Sequence, residues 1–332
     1  MVLKIVIRWR NRNGEFVHSK LSIMRIPLCE SYDSKVTTQS TARGPSWGVQ
    51  LHDFLALGTE TSKAMCIAVF LWRAHPLYPF FLLHNRDEYR SRPTEPVAWW
   101  DNGEILGGRD GLAGGTWLAC SRSGKIAFVT NVTEVGNVPE PKSRGELPIR
   151  FLESKKNPME FAEEVVMEAH QYNGFNLILV DLSCKSMIYV TNRPKDDQAL
   201  VSEVPPGIHV LATASLDTPW PKAVRLRTNF EKFLEKHGGG ELPAKEMADT
   251  LMTDATKADK TTLPGIYSIE FEYPLSSIFV EVNTEQGPYS TRSMSAVSAK
   301  TSGEVAFYEK YLEEESWIEH TESYMVEHTG NG

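Results

Sequence analysis

A cysteine, an arginine and an aspartate form the pattern in this sequence with the clearest potential for chemistry. Cys66 opens the apolar run "CIAVFLW", and Arg86 and Asp87 follow it by 20 and 21 residues in "HNRDEY". Two strands joined by a turn at residues 76–79 would bring both charged residues back beside Cys66. A nearby guanidinium lowers the pKa of a thiol, and an aspartate can hold an amino group by a hydrogen bond. The pattern predicts a nucleophilic cysteine.

The dipeptide of Met65 and Cys66 reads like a second beginning of the chain. If translation began at Met65, removal of the methionine would expose Cys66 as the first residue. Its α-amino group, with an ordinary pKa near 8, could then serve as the base for its own thiol. The alternative is structural, because cysteine is often buried and Arg86 and Glu88 would suit an exposed charged turn.

The composition is that of a globular protein, with 41% hydrophobic and 23% charged residues and a net charge of -8. An acidic chain argues against nucleic acid as the main partner, because phosphate contacts need clustered lysines and arginines. The four cysteines form no CxxC pair, which disfavours a disulfide framework or a zinc site. No apolar run is long enough to predict a transmembrane helix. The cysteine usage suits a reducing compartment, and we therefore expect a cytoplasmic protein.

The chain divides by composition at residue 65. Residues 1–64 contain nine Lys or Arg and five Asp or Glu, a balance of +4, so that the remainder carries -12. This basic extension is either a poorly structured leader, an upstream start that is little used, or a segment that targets the protein to an organelle. We expect one folded domain over residues 65–325 and a disordered tail over residues 326–332.

Strands are predicted first, helices in the middle and strands again at the end. Apolar runs predict strands at 66–72, 80–84, 117–121, 125–131, 175–182, 186–192, 207–213, 276–283, 289–299 and 304–312. Helical spacing predicts helices over 157–170, with Asn157 as the N-cap, over 220–236, and near 243–252. This order lacks the alternation of a doubly wound fold and predicts an α+β fold with mostly antiparallel sheets.

No short motif assigns a cofactor or a metal. The stretch "GGRDGLAGGTW" over residues 107–117 is predicted to be a glycine-rich loop, and it matches neither a P-loop nor a GxGxxG fingerprint. HExxH and CxxCH are absent from the sequence. We expect no cofactor and no metal ligands.

Several blocks together resemble the transport and Golgi organisation 2 family, also called the NRDE family after the tetrapeptide at residues 85–88. The blocks include "MCIAVFLW", "LLHNRDEYRSRP", "GGTWLACS", "SRGELP" and "LDTPWPK". The family is similar to N-terminal nucleophile hydrolases of the penicillin V acylase and bile salt hydrolase type. The resemblance implies a four-layer αββα sandwich.

The resemblance also implies roles for individual residues. The catalytic positions it implies are Cys66 as nucleophile, the charged pair Arg86 and Asp87, Asn131 at an oxyanion hole and Arg292 late in the chain. The positions implied for binding are Asn85, Glu88, Trp117 and Thr213. Thr213 stands where relatives usually have an asparagine, and a hydroxyl lacks the donors of an amide.

The resemblance leaves two functions open. The first is a role in Golgi organisation, protein secretion and lipid or haem trafficking through a ligand pocket, with haem as cargo rather than cofactor. The second is a cysteine hydrolase that cuts linear amides with Cys66 as nucleophile. The expected ligand is a small apolar or amide-containing molecule, and no protein partner is predicted. A Golgi-associated or organelle-targeted protein, directed by residues 1–64, is the alternative to a cytoplasmic one.

Overall fold

The computed structural model describes residues 2–10, 16–25, 66–136, 138–194 and 199–327. The chain separates into two units, residues 1–57 and residues 58–332. In the first unit, strands β1 (Val2–Arg10) and β2 (Phe16–Arg25) pair as an antiparallel hairpin. The rest of the predicted leader and residues 328–332 of the predicted tail lie outside the described residues. The predicted domain boundaries therefore stay predictions.

The second unit contains two antiparallel sheets. The first sheet has the strand order β12-β3-β4-β14-β15-β16, with β13 paired to β14, and the second has the order β11-β10-β9-β8-β7-β6-β5. The strands of the first sheet are β3 (Ile67–Trp72), β4 (Phe80–Tyr89), β12 (Gly207–Leu211), β13 (Glu281–Thr284), β14 (Gly287–Ala299), β15 (Glu304–Glu313) and β16 (Ser316–Met325). Those of the second are β5 (Thr94–Trp99), β6 (Ile105–Asp110), β7 (Leu118–Ser121), β8 (Lys125–Asn131), β9 (Phe175–Asp181), β10 (Ser186–Thr191) and β11 (Leu200–Glu203).

Helices cover the outer face of each sheet. The helices are α1 (Glu146–Glu153), α2 (Pro158–Glu168), α3 (Pro221–His237), α4 (Ala244–Leu251) and the short α5 (Ile269–Glu272). Helices α3 and α4 pack on β3, β12 and β14, whereas α1 and α2 pack on β7, β8, β9 and β10. The layers therefore run helix, sheet, sheet, helix, and the predicted α+β fold with an αββα sandwich is confirmed.

Three apolar clusters fill the spaces between these layers. The cluster between the sheets includes Phe70 from the first sheet and Phe128 from the second, whose rings meet edge to face at 5.5 Å. Phe230 of α3 and Phe161 of α2 belong to the two outer clusters. Strand β3 is buried along its whole length because both of its faces are covered, as expected for a continuous apolar run.

Local sequence signals explain the helix ends that were predicted. The side chain of Asn157 accepts hydrogen bonds from the backbone N–H groups of Met159 and Glu160, and Glu160 accepts one from the N–H group of Asn157. This reciprocal capping box fixes the start of α2 one residue after the predicted cap. Helix α3 begins at Pro221 and ends before Gly238, which has a φ of +58°.

The predicted glycine-rich loop over residues 107–117 is wrong in its first half, since Gly107 and Gly108 lie within β6. A side chain at Gly107 would place its Cβ 2.6 Å from the Cβ atom of Ala119, and one at Gly108 would place it 2.4 Å from the ring of Trp117. These glycines therefore permit close packing rather than a turn. In the second unit, helices α1 and α5 and strands β5, β6, β11 and β16 were not predicted.

Candidate active site

A cleft of about 880 Å³ lies at one end of the two sheets and contains most of the predicted site residues. Cys66 immediately precedes β3, and strand alternation places it on the same face as Ala68 and Phe70, between the sheets. Of the predicted positions, six line the cleft: Cys66, Arg86, Asp87, Glu88, Trp117 and Asn131. The prediction that a turn returns Arg86 and Asp87 to Cys66 matches the antiparallel pairing of β3 with β4.

The thiol of Cys66 is buried at the floor of the cleft, with 6% of the residue exposed. Burial is the main reason that the pKa of Cys66 rises to about 12, and the negative charge of Asp87 adds to the effect. A hydrogen bond from the backbone of Asp87 and the charge of Arg86 act in the opposite direction. With a peptide bond before it, Cys66 is therefore a neutral thiol at pH 7.

Asp87 is fully buried and only half satisfied. Its Oδ1 atom accepts a hydrogen bond of 2.7 Å from the hydroxyl group of Thr291, whereas Oδ2 is buried without a partner among the described residues. Burial raises the pKa of Asp87 to about 7, and the positive charge of Lys222 is the largest influence that lowers it. A buried carboxylate oxygen calls for a hydrogen-bond donor, which the described residues do not supply to Oδ2.

Arg86 is held in place by a threonine and a tryptophan. Its Nη1 atom donates a 2.8 Å hydrogen bond to Oγ1 of Thr94, and its guanidinium group lies 4.0 Å from the ring centroid of Trp117. Only 5% of Arg86 is exposed, and burial lowers its pKa. The hydrogen bond to Thr94 and the contact with the Trp117 ring together fix this charged side chain at the floor of the cleft.

Two acidic residues of the cleft are bound by Arg92. Its Nε and Nη2 atoms donate to the two carboxylate oxygens of Asp110 at 2.8 and 2.7 Å, a bidentate pair. Glu88 lies 3.7 Å from Arg92 and also accepts a hydrogen bond from the backbone N–H group of Tyr89. Glu88 was predicted as a binding residue, and its position lets it orient Arg92 at the cleft wall.

Three predicted site residues do not line the cleft. The amide of Asn85 donates to the carbonyl groups of Met252 and Ile278, so it ties β4 to the segment that crosses the outer face of the first sheet. Thr213 is buried and accepts a hydrogen bond from the hydroxyl group of Thr133. The Asn85 side chain holds backbone near the site, and the Thr213 side chain holds the Thr133 side chain.

The third such residue is Arg292, which the resemblance placed at the site itself. Its Nη1 atom donates to the backbone carbonyl groups of Tyr89, Arg90 and Arg92. It thereby fixes the segment that carries Arg92 into the cleft. Arg292 therefore supports the cleft wall without lining the cleft.

Sequence reasoning missed two cations near the thiol. Arg144 lines the cleft and donates to the carbonyl group of Gly174, and burial lowers its pKa to about 10. Lys222 is buried at the start of α3, donates to the carbonyl group of Leu275, and has a pKa lowered by burial. Both lie in quoted blocks, "SRGELP" and "LDTPWPK". A cation within an otherwise apolar or turn-forming block is the signal that would have found them.

Most of the chain matches the model of one protein family. A family model described as Transport and Golgi organisation 2 matches residues 65–314. The chain belongs to this family. The transport and Golgi organisation 2 match begins at Met65, one residue before Cys66, and the predicted family is confirmed.

Curated members of the family are similar over most of their length. The Transport and Golgi organization protein 2 homolog of Homo sapiens is 32% identical over 280 residues, which cover 80% of this chain and 99% of the human protein. The mouse homolog is 32% identical over 263 residues, which cover 75% of this chain and 93% of the mouse protein. A solved structure, a variant of the conjugated bile acid hydrolase from Clostridium perfringens, is 14% identical and covers 80% of this chain and 98% of its own, with a TM-score of 0.39.

A cluster of metal ligands and a membrane-spanning helix are both absent from the described part of the chain. That part contains no group of three or more His, Cys, Asp or Glu side chains placed to hold a metal ion. Its helices are all too short or too polar to cross a membrane.

Proposed function

We propose that the cleft at Cys66 binds a small amide-containing molecule and, in chains whose first residue is Cys66, cuts the amide bond. The observation that carries this proposal is the Oδ2 atom of Asp87, buried at the floor of the cleft without a partner in the described residues. A free α-amino group on Cys66 would supply the missing donor. The same amino group is the base that a cysteine nucleophile needs in a site without a histidine.

The reaction follows from these positions. The α-amino group takes the thiol proton, and Sγ of Cys66 bonds to the amide carbon. Asn131 and nearby backbone N–H groups would stabilise the negative oxygen that forms. The carbon–nitrogen bond then breaks as the leaving nitrogen takes the proton, and a thioester remains. Water attacks the thioester carbon, releases the acid and returns the proton to the thiol.

The amidase proposal is tested with two forms of the protein. One is the full chain, and the other is produced from a start at Met65, so that cellular removal of methionine leaves Cys66 first. We expect linear N-acyl amides to be cleaved by the second form alone, and Cys66→Ser to abolish cleavage. Equal cleavage by Cys66→Ala, or no cleavage by a form whose terminal cysteine is verified by mass spectrometry, would refute the proposal.

A second candidate is a binding protein, and the raised pKa of Cys66 favours it for chains that keep residues 1–65. Without a free amino group, Cys66 lacks the base that the amidase reaction needs, and the cleft remains a ligand site. Such a chain would serve the transport and Golgi organisation role in the names of its relatives, in the cytoplasm or at the Golgi, with lipid or haem as cargo.

The binding candidate is tested by titrating the full chain with haem and with fatty acyl compounds. We expect saturable binding that is lost when Trp117 at the cleft is replaced by alanine and is retained in Trp317→Ala, a tryptophan outside the cleft lining. Binding that is not saturable, or that is unaffected by Trp117→Ala, would count against this candidate.

A further inference from the structure

Arg86 is a buried cation that forms no ion pair within the described part of the chain. Its hydrogen bond to Thr94 is to a neutral hydroxyl group, and its other close partner is the ring of Trp117. A buried guanidinium group without a carboxylate is costly, because it has lost water without gaining an opposite charge. Among the described residues, Arg86 therefore has no carboxylate bonded directly to it.

The two carboxylates whose charges act most strongly on Arg86 are bound by other groups. Asp110 is bound through both oxygens by Arg92 and also accepts from the backbone N–H group of Ala113. Glu88 lies beside Arg92 as well. Their charges favour the charged form of Arg86 at longer range, but neither carboxylate bonds to it.

The lining of the cleft is more positive than the chain as a whole. Its four cations are Arg86, Arg92, Lys142 and Arg144, and its three acids are Asp87, Glu88 and Asp110. Because the pKa of Asp87 is raised to about 7, its carboxyl group is partly protonated at neutral pH. The whole chain has a net charge of -8. A cleft of the opposite sign attracts anions and raises their local concentration.

Trp117 fixes the direction in which Arg86 can bind. The guanidinium carbon lies over the ring, so the ring covers that face of the group and an anion must bind at the N–H groups. The ring itself cannot shift easily, because Gly108 packs so tightly on it that even a Cβ atom there would clash at 2.4 Å. A planar guanidinium edge held in this way suits two oxygens of one anionic group.

We propose that the ligand of the cleft carries an anionic group, a carboxylate, sulfonate or phosphate, which binds to Arg86 against the face of Trp117. This inference rests on the proposed function in taking the cleft as the ligand site. It narrows the ligand from any small amide to an acidic one. It does not depend on whether the amide bond is cut.

The thiol of Cys66 reports on this charge preference in the full chain. Iodoacetate and iodoacetamide alkylate the same thiolate, but only iodoacetate is anionic. We would measure both rates at pH 9 by peptide mass spectrometry, with the exposed Cys184 of the same molecule as the internal control. The ratio of the two rates cancels any change in the pKa of the thiol, which Arg86 also influences.

We expect the iodoacetate to iodoacetamide ratio to be about tenfold higher at Cys66 than at Cys184, since a close charge pair in a partly buried site is worth at least that factor. Arg86→Met should bring the Cys66 ratio down to that of Cys184, and Arg86→Lys should keep most of the preference. A ratio at Cys66 no higher than that at Cys184 overturns the proposal.

A second measurement uses the unchanged chain, in case Arg86→Met fails to fold. N-acetylglycine should protect Cys66 from iodoacetamide, and the neutral N-acetylglycinamide should not. Methanesulfonate and inorganic phosphate in place of N-acetylglycine identify which anion class fits. Equal protection by the charged and neutral glycine compounds, or by none of the four, overturns the proposal. If a neutral amide is cleaved and no anion preference is found, the inference of an anionic ligand is wrong. The amidase proposal is then still supported.

Discussion

The buried carboxyl group of Asp87 should make the stability of the folded chain depend on pH. Its pKa is 3.8 in an ordinary environment and about 7 in the fold, because burial penalises the charged form. Between these two values the folded state keeps a proton that the unfolded state has lost. The contribution of Asp87 to stability is therefore largest below pH 4 and is lost as the pH rises through 7. At about 1.4 kcal/mol for each pH unit, the loss is about 4 kcal/mol.

Asp87→Asn removes this dependence with little change of shape. The asparagine oxygen can still accept the hydrogen bond from Thr291, and no charge is buried. At pH 4 we expect Asp87→Asn and the unchanged chain to have about the same free energy of unfolding. At pH 8 we expect the variant to be more stable by about 4 kcal/mol.

Urea unfolding at a series of pH values measures this difference. Asp101→Asn, at an exposed aspartate, is the matched control and should show no such trend. If Asp87→Asn raises the free energy of unfolding by the same amount at every pH, the carboxyl group is not buried in its charged form. If Asp87→Asn is instead less stable than the unchanged chain, and increasingly so as the pH rises, a direct partner holds Asp87 ionised. That result would refute the reasoning.

Three further predictions concern the supports of the site and fold, and each is measured by urea unfolding at pH 7. Asn157→Ala removes the capping box of α2 and should lower the free energy of unfolding by about 1 kcal/mol, whereas Asn102→Ala in an exposed turn should change it less. Gly108→Ala drives a Cβ atom into the ring of Trp117 and should cost about 1–3 kcal/mol; an unchanged stability would show that the ring can move. Phe128→Ala empties a fully buried position between the sheets and should cost about 3–5 kcal/mol, and a loss below 1 kcal/mol would contradict the packing described.

Elements with a local signature were predictable from the sequence. The run "CIAVFLW" predicts a doubly covered strand, and "NPMEFAEEVVMEAH" carries both its cap and its helical period. Cys66, Arg86 and Asp87 were found together because Cys66 directly precedes β3, which pairs with β4, the strand that carries Arg86 and Asp87. For such elements, neighbours in sequence are neighbours in space.

The rest depends on contacts that no local pattern records. Gly107 and Gly108 suggested a loop, but they are strand residues whose missing side chains make room for Ala119 and Trp117. Lys222 looks like an ordinary residue near a helix start, and only the fold shows that it is buried near Asp87. Tertiary packing overrides propensity at these positions.

The pairing of β4 with β14 has a consequence for synthesis of the chain on the ribosome. Thr291, which bonds to Asp87, follows it by 204 residues, so the hydrogen bond forms only after nearly all of the domain has been translated. Until then β4 has one open edge, and an open edge of apolar strand is prone to mispairing. Any cleavage before Cys66 that relied on the finished site would therefore occur after translation of β14, in a chain that is almost complete.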